Sequence, residues 1–232
     1  MEANPPLTLT NLRAVRTADG TPTLIEGHEG MHALDGALSE TLHVYGPAID
    51  LVFDGGWAPR FLVVGLGLGY IELLILARAF RRGISPEIFS FESKEELVAG
   101  VKASTQHKSG SIFAEVRDEI ERSTGVTGLT SIAREALESG RWIMNGPLEF
   151  STELPKVSSI LFDPYSRGQC PDLWEEQFLS RMLNDAASPR SVFATYASFG
   201  ALKRVLAGAG FALETRSGFG RKRECTLAVR LD

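Results

Sequence analysis

Glycine residues at alternate positions follow a short apolar run at residues 61–64, whose composition is typical of a buried parallel strand. The glycines are Gly65, Gly67 and Gly69, and a helical pattern of apolar residues follows them at 70–80. Glycine allows the backbone to turn tightly and to approach a bound molecule closely. The strand, the turn and the helix together predict the first half of a nucleotide-binding crossover unit.

Glu92 ends the next predicted strand, residues 87–91, and a carboxylate at this place can accept hydrogen bonds from both hydroxyls of a ribose. A dinucleotide site would have the spacing G-x-G-x-x-G and a helix N-terminus that holds a pyrophosphate. The spacing here, G-x-G-x-G, is more typical of S-adenosyl-L-methionine (SAM) sites, because SAM has no phosphate to hold. We therefore expect SAM as the cofactor, with a dinucleotide or a plain βα turn as the alternatives.

Asp163 ends another apolar run, residues 158–162, and is followed directly by Pro164 and Tyr165. An acid, a proline and an aromatic residue in this position are typical of amino-group methyltransferases. Methyl transfer from a sulfonium is an in-line displacement that needs an aligned, neutral amine lone pair. A nearby carboxylate can accept the proton of an ammonium and stabilise the charge that develops on nitrogen. We expect Asp163 and Tyr165 to be catalytic; a turn-capping acid and a packing aromatic are the structural alternatives.

The rest of the chain from residue 59 alternates predicted strands and helices. The further strands are predicted at 141–145, 158–162, 191–196, 211–216 and 225–230, and the further helices at 94–107, 109–122, 129–140, 172–187 and 198–209. Alternation predicts a parallel, doubly wound sheet, and the short last connection predicts an antiparallel pair. The expected fold is therefore α/β, a Rossmann-like SAM-dependent methyltransferase fold with a mostly parallel seven-stranded sheet closed by an antiparallel C-terminal hairpin.

Ligands in such sheets bind at the carboxyl ends of the strands, where the strand order reverses. This rule places the glycine turn, Glu92, Asn145 and Asp163 on one rim. Residues 1–58 do not follow the crossover pattern. They predict a small β extension, with a hairpin at Asp19-Gly20 and a helix within 31–45, packed on a methyltransferase domain at 59–232.

The bulk composition is that of an ordinary globular protein of 232 residues with a formal net charge of −5. Cys170 and Cys225 have neither metal-type spacing nor the pattern of a disulfide framework. The sequence predicts no metal and no membrane span, and the first ten residues lack the layout of a signal peptide, so we expect a cytoplasmic protein.

A basic segment joins the last two predicted strands. It contains Phe219, which offers a stacking face, and the adjacent cations Arg221, Lys222 and Arg223, which offer phosphate contacts. Arg167, in the loop after Asp163, extends the predicted positive surface. The alternative is a solvated hairpin whose charges protect a sheet edge.

Motifs spread over nearly the whole chain carry a resemblance to a known family. They are TADGTPTL, MHALDGALSETLHVYGPA, VVGLGLGY, FDPYSRGQCPDLW and GFGRKRE. With them the sequence resembles the bacterial tRNA (5-methylaminomethyl-2-thiouridine)-forming methyltransferases, which occur alone or fused to a flavin oxidase domain. The resemblance implies SAM-dependent methylation of the 5-aminomethyl group of a modified wobble uridine, with the anticodon region of tRNA as the partner.

The resemblance also implies roles for individual residues. The glycine turn would line SAM, Glu92 would bind its ribose, and Glu40 would lie near its methionine end, with Asp163 beside both SAM and the amine. The family has an acid after the third strand that contacts adenine, whereas this chain has Asn145-Gly146-Pro147-Leu148-Glu149. Asn145, Glu149 or a backbone carbonyl would have to replace that acid.

Two other functions remain open from the sequence. One is a methyltransferase for a small amine or another macromolecule on the same fold. The other is a non-catalytic SAM- or RNA-binding module, which the altered adenine segment would favour if it prevented cofactor binding.

Overall fold

A small antiparallel sheet begins the described part of the chain in this computed structural model, which covers residues 11–106 and 110–231. Its strands are β1 (Leu12–Arg16), β2 (Pro22–Glu26) and β3 (Glu29–Gly30). Strand β1 pairs with β2 across the Asp19-Gly20 turn, and β3 pairs with the other edge of β2. The predicted N-terminal hairpin is therefore present.

The main sheet is built from the remaining strands of the described chain. They are β4 (Arg60–Val64), β5 (Glu87–Phe91), β6 (Trp142–Asn145), β7 (Val157–Phe162), β8 (Ala187–Thr195), β9 (Ala212–Ser217) and β10 (Glu224–Arg230). Their order is β6-β5-β4-β7-β8-β10-β9. Strands β4 to β8 pair in parallel, whereas β10 is antiparallel to both β8 and β9. The predicted fold is confirmed, and the strand order reverses between β4 and β7.

Helices cover both faces of this sheet. They are α1 (Ala37–Val44), α2 (Gly46–Asp54), α3 (Tyr70–Arg81), α4 (Glu95–Ser104), α5 (Ile112–Thr124), α6 (Leu129–Glu138), α7 (Glu176–Ala186) and α8 (Gly200–Gly208), with a 3₁₀ turn at Pro171–Trp174. None of the helices in residues 11–106 or 110–231 is long and apolar enough to span a bilayer.

The side chains of β4 alternate between two hydrophobic clusters, one on each face of the sheet. Phe61 and Val63 pack with α1, α2 and α3, whereas Leu62 and Val64 pack with α7 and α8. A central strand buried on both faces needs such a continuous apolar run, which explains the sequence of residues 61–64. Because α1 and α2 share a core with α3, the domain boundary after residue 58 stays a prediction.

Two element predictions need correction. The predicted helix within 31–45 begins only at Ala37, and α2 follows it at once although the sequence analysis did not predict it. Pro47 lies in the first turn of α2, where a missing N–H costs no intrahelical hydrogen bond. The predicted helix at 172–187 divides into the 3₁₀ turn and α7. His107 and Ser109, a predicted helix end and a predicted helix start, lie outside the described residues.

Candidate active site at the carboxyl ends of the parallel strands

A cavity of about 530 Å³ lies over the carboxyl ends of β4, β5 and β7. Residues from each of these strand ends line it, and so do residues 29–33 of the N-terminal extension and Lys222 of the C-terminal hairpin. Five of the predicted site residues line it together with Lys222: Gly65, Gly67, Glu92, Asp163 and Tyr165. The rim predicted from strand order is therefore a real concavity.

The glycine turn brings the ends of β4 and β7 into direct contact. Gly65 has a φ of +90°, and a Cβ there would lie 2.3 Å from the backbone oxygen of Asp163. Any side chain at Gly65 would therefore push the backbone of Asp163 away from the turn. Gly67 has a φ of +52° and donates its N–H to Glu92 Oε2 at 3.0 Å. Gly69, at the N-terminus of α3, faces Val101 and does not line the cavity.

Glu92 is held from two sides before any ligand binds. Its Oε2 accepts the Gly67 N–H, and its Oε1 accepts the backbone N–H of Lys94 at 3.0 Å. An ionised carboxylate has about four acceptor sites. Glu92 can therefore keep both backbone hydrogen bonds and still accept the two hydroxyls of a ribose.

Asp163 is paired with a residue that the sequence analysis missed. The hydroxyl of Tyr45, between α1 and α2, donates to Asp163 Oδ1 at 2.5 Å. Burial raises the pKa of Asp163 well above its usual range, and the Tyr45 hydrogen bond opposes that rise. Burial and the charge of Asp163 also raise the pKa of Tyr45, so the hydroxyl stays protonated and remains a donor.

Lys222 enters the cavity, although the sequence analysis grouped it with its neighbours on an exposed basic surface. Its Nζ donates to Glu40 Oε1 at 2.9 Å and lies 3.8 Å from the centroid of the Tyr196 ring. The buried Glu40 also accepts the backbone N–H of Ala33 at 2.6 Å. This ion pair connects α1, the N-terminal extension and the C-terminal hairpin at one end of the cavity.

The loop after Asp163 is attached to three separate parts of the chain. Tyr196 donates its hydroxyl to the Pro164 carbonyl at 2.9 Å, and Trp174 Nε1 donates to the Tyr165 carbonyl at 2.8 Å. Glu29 of β3 accepts hydrogen bonds from Ser166, which follows Tyr165: one from its backbone N–H at 2.8 Å and one from its hydroxyl at 2.7 Å. The backbone beside the catalytic acid is therefore held in one conformation.

Tyr165 lines the cavity, and its buried hydroxyl lies close to the carboxylate of Glu26. Burial raises the pKa of this hydroxyl, and the charge and hydrogen bonding of Glu26 add to the effect. Tyr165 therefore offers a neutral aromatic side chain to the cavity.

Asn145 and the predicted RNA-binding residues other than Lys222 lie outside the lining of this cavity. The Asn145 amide donates to the Ser90 carbonyl at 3.2 Å. Pro147 and Leu148 line the cavity in its place. The other predicted residues outside the lining are Glu40, Gly69, Arg167, Phe219, Arg221 and Arg223, of which Arg167, Arg221 and Arg223 are exposed. The roles of all the predicted site residues stay predictions.

His32 is a half-buried histidine of the extension that lines the cavity. Its Nδ1 lies 2.9 Å from the hydroxyl of Thr23, and its ring meets Tyr70 edge-on at 4.9 Å. Burial lowers the pKa of His32 to about 4, so the ring is neutral at pH 7. In the described ranges no group of three metal-ligating side chains occurs.

Comparison with known families decides the class of enzyme. A family model described as S-adenosyl-L-methionine-dependent methyltransferase matches residues 146–231, which contain Asp163, Tyr165 and Lys222. This chain is a SAM-dependent methyltransferase. The family resemblance predicted from the sequence is confirmed, and SAM is the cofactor.

Two relatives of this methyltransferase extend the comparison. The bifunctional protein MnmC of tRNA 5-methylaminomethyl-2-thiouridine biosynthesis from Ralstonia nicotianae is 28% identical over 225 residues, 91% of this chain and 33% of that protein. The methyltransferase thus spans about a third of that relative. The crystal structure of MnmC2 from Aquifex aeolicus is also similar. It is 24% identical in sequence and superposes with a TM-score of 0.69, and the match covers 95% of this chain and 70% of the MnmC2 chain. The structural likeness shows the shared fold.

Several features of the cavity suit the chemistry of SAM. The glycine turn leaves room where a Cβ would collide, Glu92 offers free acceptor sites, and Leu148 and Phe91 add apolar surface suited to an adenine ring. The Glu40–Lys222 ion pair supplies one negative and one positive charge. These could pair with the amino and carboxylate groups of the methionine part of SAM. These residues are the candidates for holding the cofactor.

Proposed function

We propose that this methyltransferase methylates the 5-aminomethyl group of a modified wobble uridine in tRNA. The observation that carries the proposal is the half-buried carboxylate of Asp163, which lines the cavity in contact with the glycine turn. A carboxylate partly shielded from water suits an amine acceptor, because it can both take up a proton and stabilise a cation. The tRNA 5-methylaminomethyl-2-thiouridine pathway named for the Ralstonia relative supports the choice of acceptor.

The acceptor amine must be neutral when it reacts. An alkylammonium must first lose a proton, and a carboxylate with a raised pKa takes up a proton more readily than one with an ordinary pKa. Burial raises the pKa of Asp163 in this way, while Tyr45 keeps one of its oxygens in place. Asp163 Oδ2 is then the atom that accepts the proton and faces the cation formed on nitrogen.

The bound cofactor supplies the methyl group on a positively charged sulfur. The protein contributes alignment: Glu92 and the glycine turn would hold the ribose part, and the anchored loop at Asp163–Tyr165 would hold the amine. The three attachments of that loop limit its movement, and displacement reactions depend strongly on such alignment.

The substrate polynucleotide would contact the outer face of the C-terminal hairpin. Arg221 and Arg223 are exposed there, and Phe219 packs beside His43 with 6.0 Å between ring centroids. Because the protein carries a net charge of −5, most of its surface repels phosphate. Phosphate contacts should therefore be confined to this basic hairpin. We infer that Arg221 and Arg223 bind phosphates, whereas Lys222 acts inside the cavity.

The test is to incubate the enzyme with methyl-labelled SAM and tRNA that carries unmethylated 5-aminomethyluridine, followed by digestion to nucleosides. The expected product is a labelled 5-methylaminomethyl nucleoside. A pool of small amines serves as the competing substrate. Labelling of an amine with no labelled nucleoside would refute the tRNA assignment, and calorimetry with SAM would separately establish whether the cofactor binds.

A further inference from the structure

A second cavity, a groove of about 420 Å³, shares Pro171 with the active-site cavity. Trp174 lines this second cavity. The Trp174 indole N–H donates a hydrogen bond to the Tyr165 carbonyl, and its ring meets Tyr196 and Phe199 edge-on, with centroid distances of 6.0 and 5.7 Å. Because Tyr165 and Tyr196 line the active-site cavity, Trp174 contacts residues of both cavities.

A cation stacked on an aromatic ring forms the floor of this groove. The guanidinium carbon of Arg167 lies 4.6 Å from the centroid of Phe199, and both residues line the groove. Arg167 is exposed and makes no salt bridge to any residue of the described ranges. A planar guanidinium on an aromatic ring is a surface on which nucleobases stack.

The charges around the groove select against a phosphate inside it. Glu175 and Glu176 also line the groove, and Glu176 is paired with Arg204 at 2.7 Å. Carboxylates repel phosphate but can accept hydrogen bonds from a ring N–H or an amino group. The groove is therefore suited to an uncharged planar heterocycle, with the anionic backbone of the same ligand outside it.

We propose that this groove binds the nucleobase adjacent to the methyl-acceptor nucleotide, stacked on the Arg167–Phe199 pair. The proposal rests on the proposed function, because it needs a polynucleotide substrate. Pro171 lines both cavities, and Trp174 of the groove contacts Tyr165 and Tyr196 of the active-site cavity, so the groove lies within reach of the neighbour of a nucleotide bound in the active site. Arg167 therefore contributes to base stacking as well as to charge.

The experiment uses two variants. Phe199→Leu keeps an apolar side chain but removes the aromatic face, and Arg167→Lys keeps the positive charge but removes the planar guanidinium group. Arg122→Ala, an exposed arginine that lines neither cavity, is the matched control. Each protein is assayed with aminomethylated tRNA, and its binding of an anticodon stem–loop with 2-aminopurine next to the acceptor position is followed by fluorescence.

Loss of one stacking contact is expected to lower kcat/KM with tRNA about 10-fold and to abolish the 2-aminopurine change in both groove variants. Arg122→Ala should behave as the wild type. Wild-type kcat/KM and wild-type fluorescence in both groove variants would overturn the inference while the proposed function stands. If the wild type methylates no tRNA, the proposed function fails, and the fluorescence change still tests whether the groove holds a base.

Discussion

The Tyr45 hydroxyl donates a hydrogen bond of 2.5 Å to Asp163 Oδ1, although 118 residues separate the two in the chain. Tyr45 is almost fully buried between α1 and α2, so its ring cannot follow a movement of the acid. The contact holds one carboxylate oxygen and leaves the other for a substrate. Tyr45 thus contributes directly to the surroundings of the predicted catalytic acid.

Replacement of Asp163 by asparagine should lower turnover about 10²- to 10⁴-fold, the usual contribution of a positioned general base. The amide keeps the shape and can still accept the Tyr45 hydrogen bond, so the affinity for SAM should change little. Steady-state kinetics and calorimetry measure the two effects. Asp185→Asn, in the exposed part of α7, is the control, and full activity of the Asp163→Asn enzyme would remove Asp163 from the mechanism.

Replacement of Tyr45 by phenylalanine should move the acidic limb of the kcat/KM profile to higher pH. The Tyr45 hydrogen bond favours the ionised carboxylate and lowers the pKa of Asp163, so its loss raises that pKa further. Activity near neutral pH should fall about 10-fold, the scale of a hydrogen bond to a charged group. A profile that keeps its shape and position would show that Tyr45 does not act through Asp163.

The basic hairpin should divide into two functional parts. Arg221→Ala with Arg223→Ala should weaken tRNA binding and reduce the slope of log K against log salt by roughly 1 for each lost phosphate contact, with SAM binding retained. Lys222→Ala should instead weaken SAM binding and turnover, because it leaves the buried Glu40 unpaired. Salt titrations of tRNA affinity and calorimetry with SAM separate these outcomes, and identical behaviour of the two proteins would contradict the division.

Gly65→Ala should destabilise the fold by about 3 kcal/mol or more, since it combines a disfavoured positive φ with an overpacked contact to the Asp163 backbone. Gly67→Ala is the matched control, because the nearest atom to its added Cβ is Met31 Sδ at 3.7 Å. It should cost only about 1 kcal/mol for the positive φ. Urea unfolding of both variants tests this difference, and equal losses would argue against the contact.

Glu72→Gln should stabilise the protein at pH 8 and have little effect at pH 4. Glu72 is fully buried in α3, accepts from the Ser90 hydroxyl at 2.7 Å and leaves its Oε2 without a partner in the described chain. Burial raises its pKa to about 8. Between the ordinary pKa and about 8 the folded state binds more protons than the unfolded state, so stability falls as pH rises. The free energy of unfolding, measured from pH 4 to pH 8, should fall less steeply with pH in Glu72→Gln than in the wild type. The same slope in both proteins would contradict the raised pKa of Glu72.

The sequence by itself determined the sheet and the nucleotide turn, because these depend on local patterns. The apolar run at 61–64, the alternating glycines and Glu92 each sit in one continuous segment, and parallel strand ends must share a rim. Helix α2 was the exception, since Gly46 and Pro47 indicate a break although proline is well tolerated in a first turn.

Only the tertiary structure decided which side chains meet. Lys222 stands between two arginines in sequence, yet in the fold its partly exposed side chain lines the cavity and pairs with the buried Glu40 at 2.9 Å. Tyr45 and Asp163 gave no local signal of their pairing, because each is ordinary in its own segment. Long-range contacts of this kind depend on packing that brings distant segments together, and no periodicity within one segment records them.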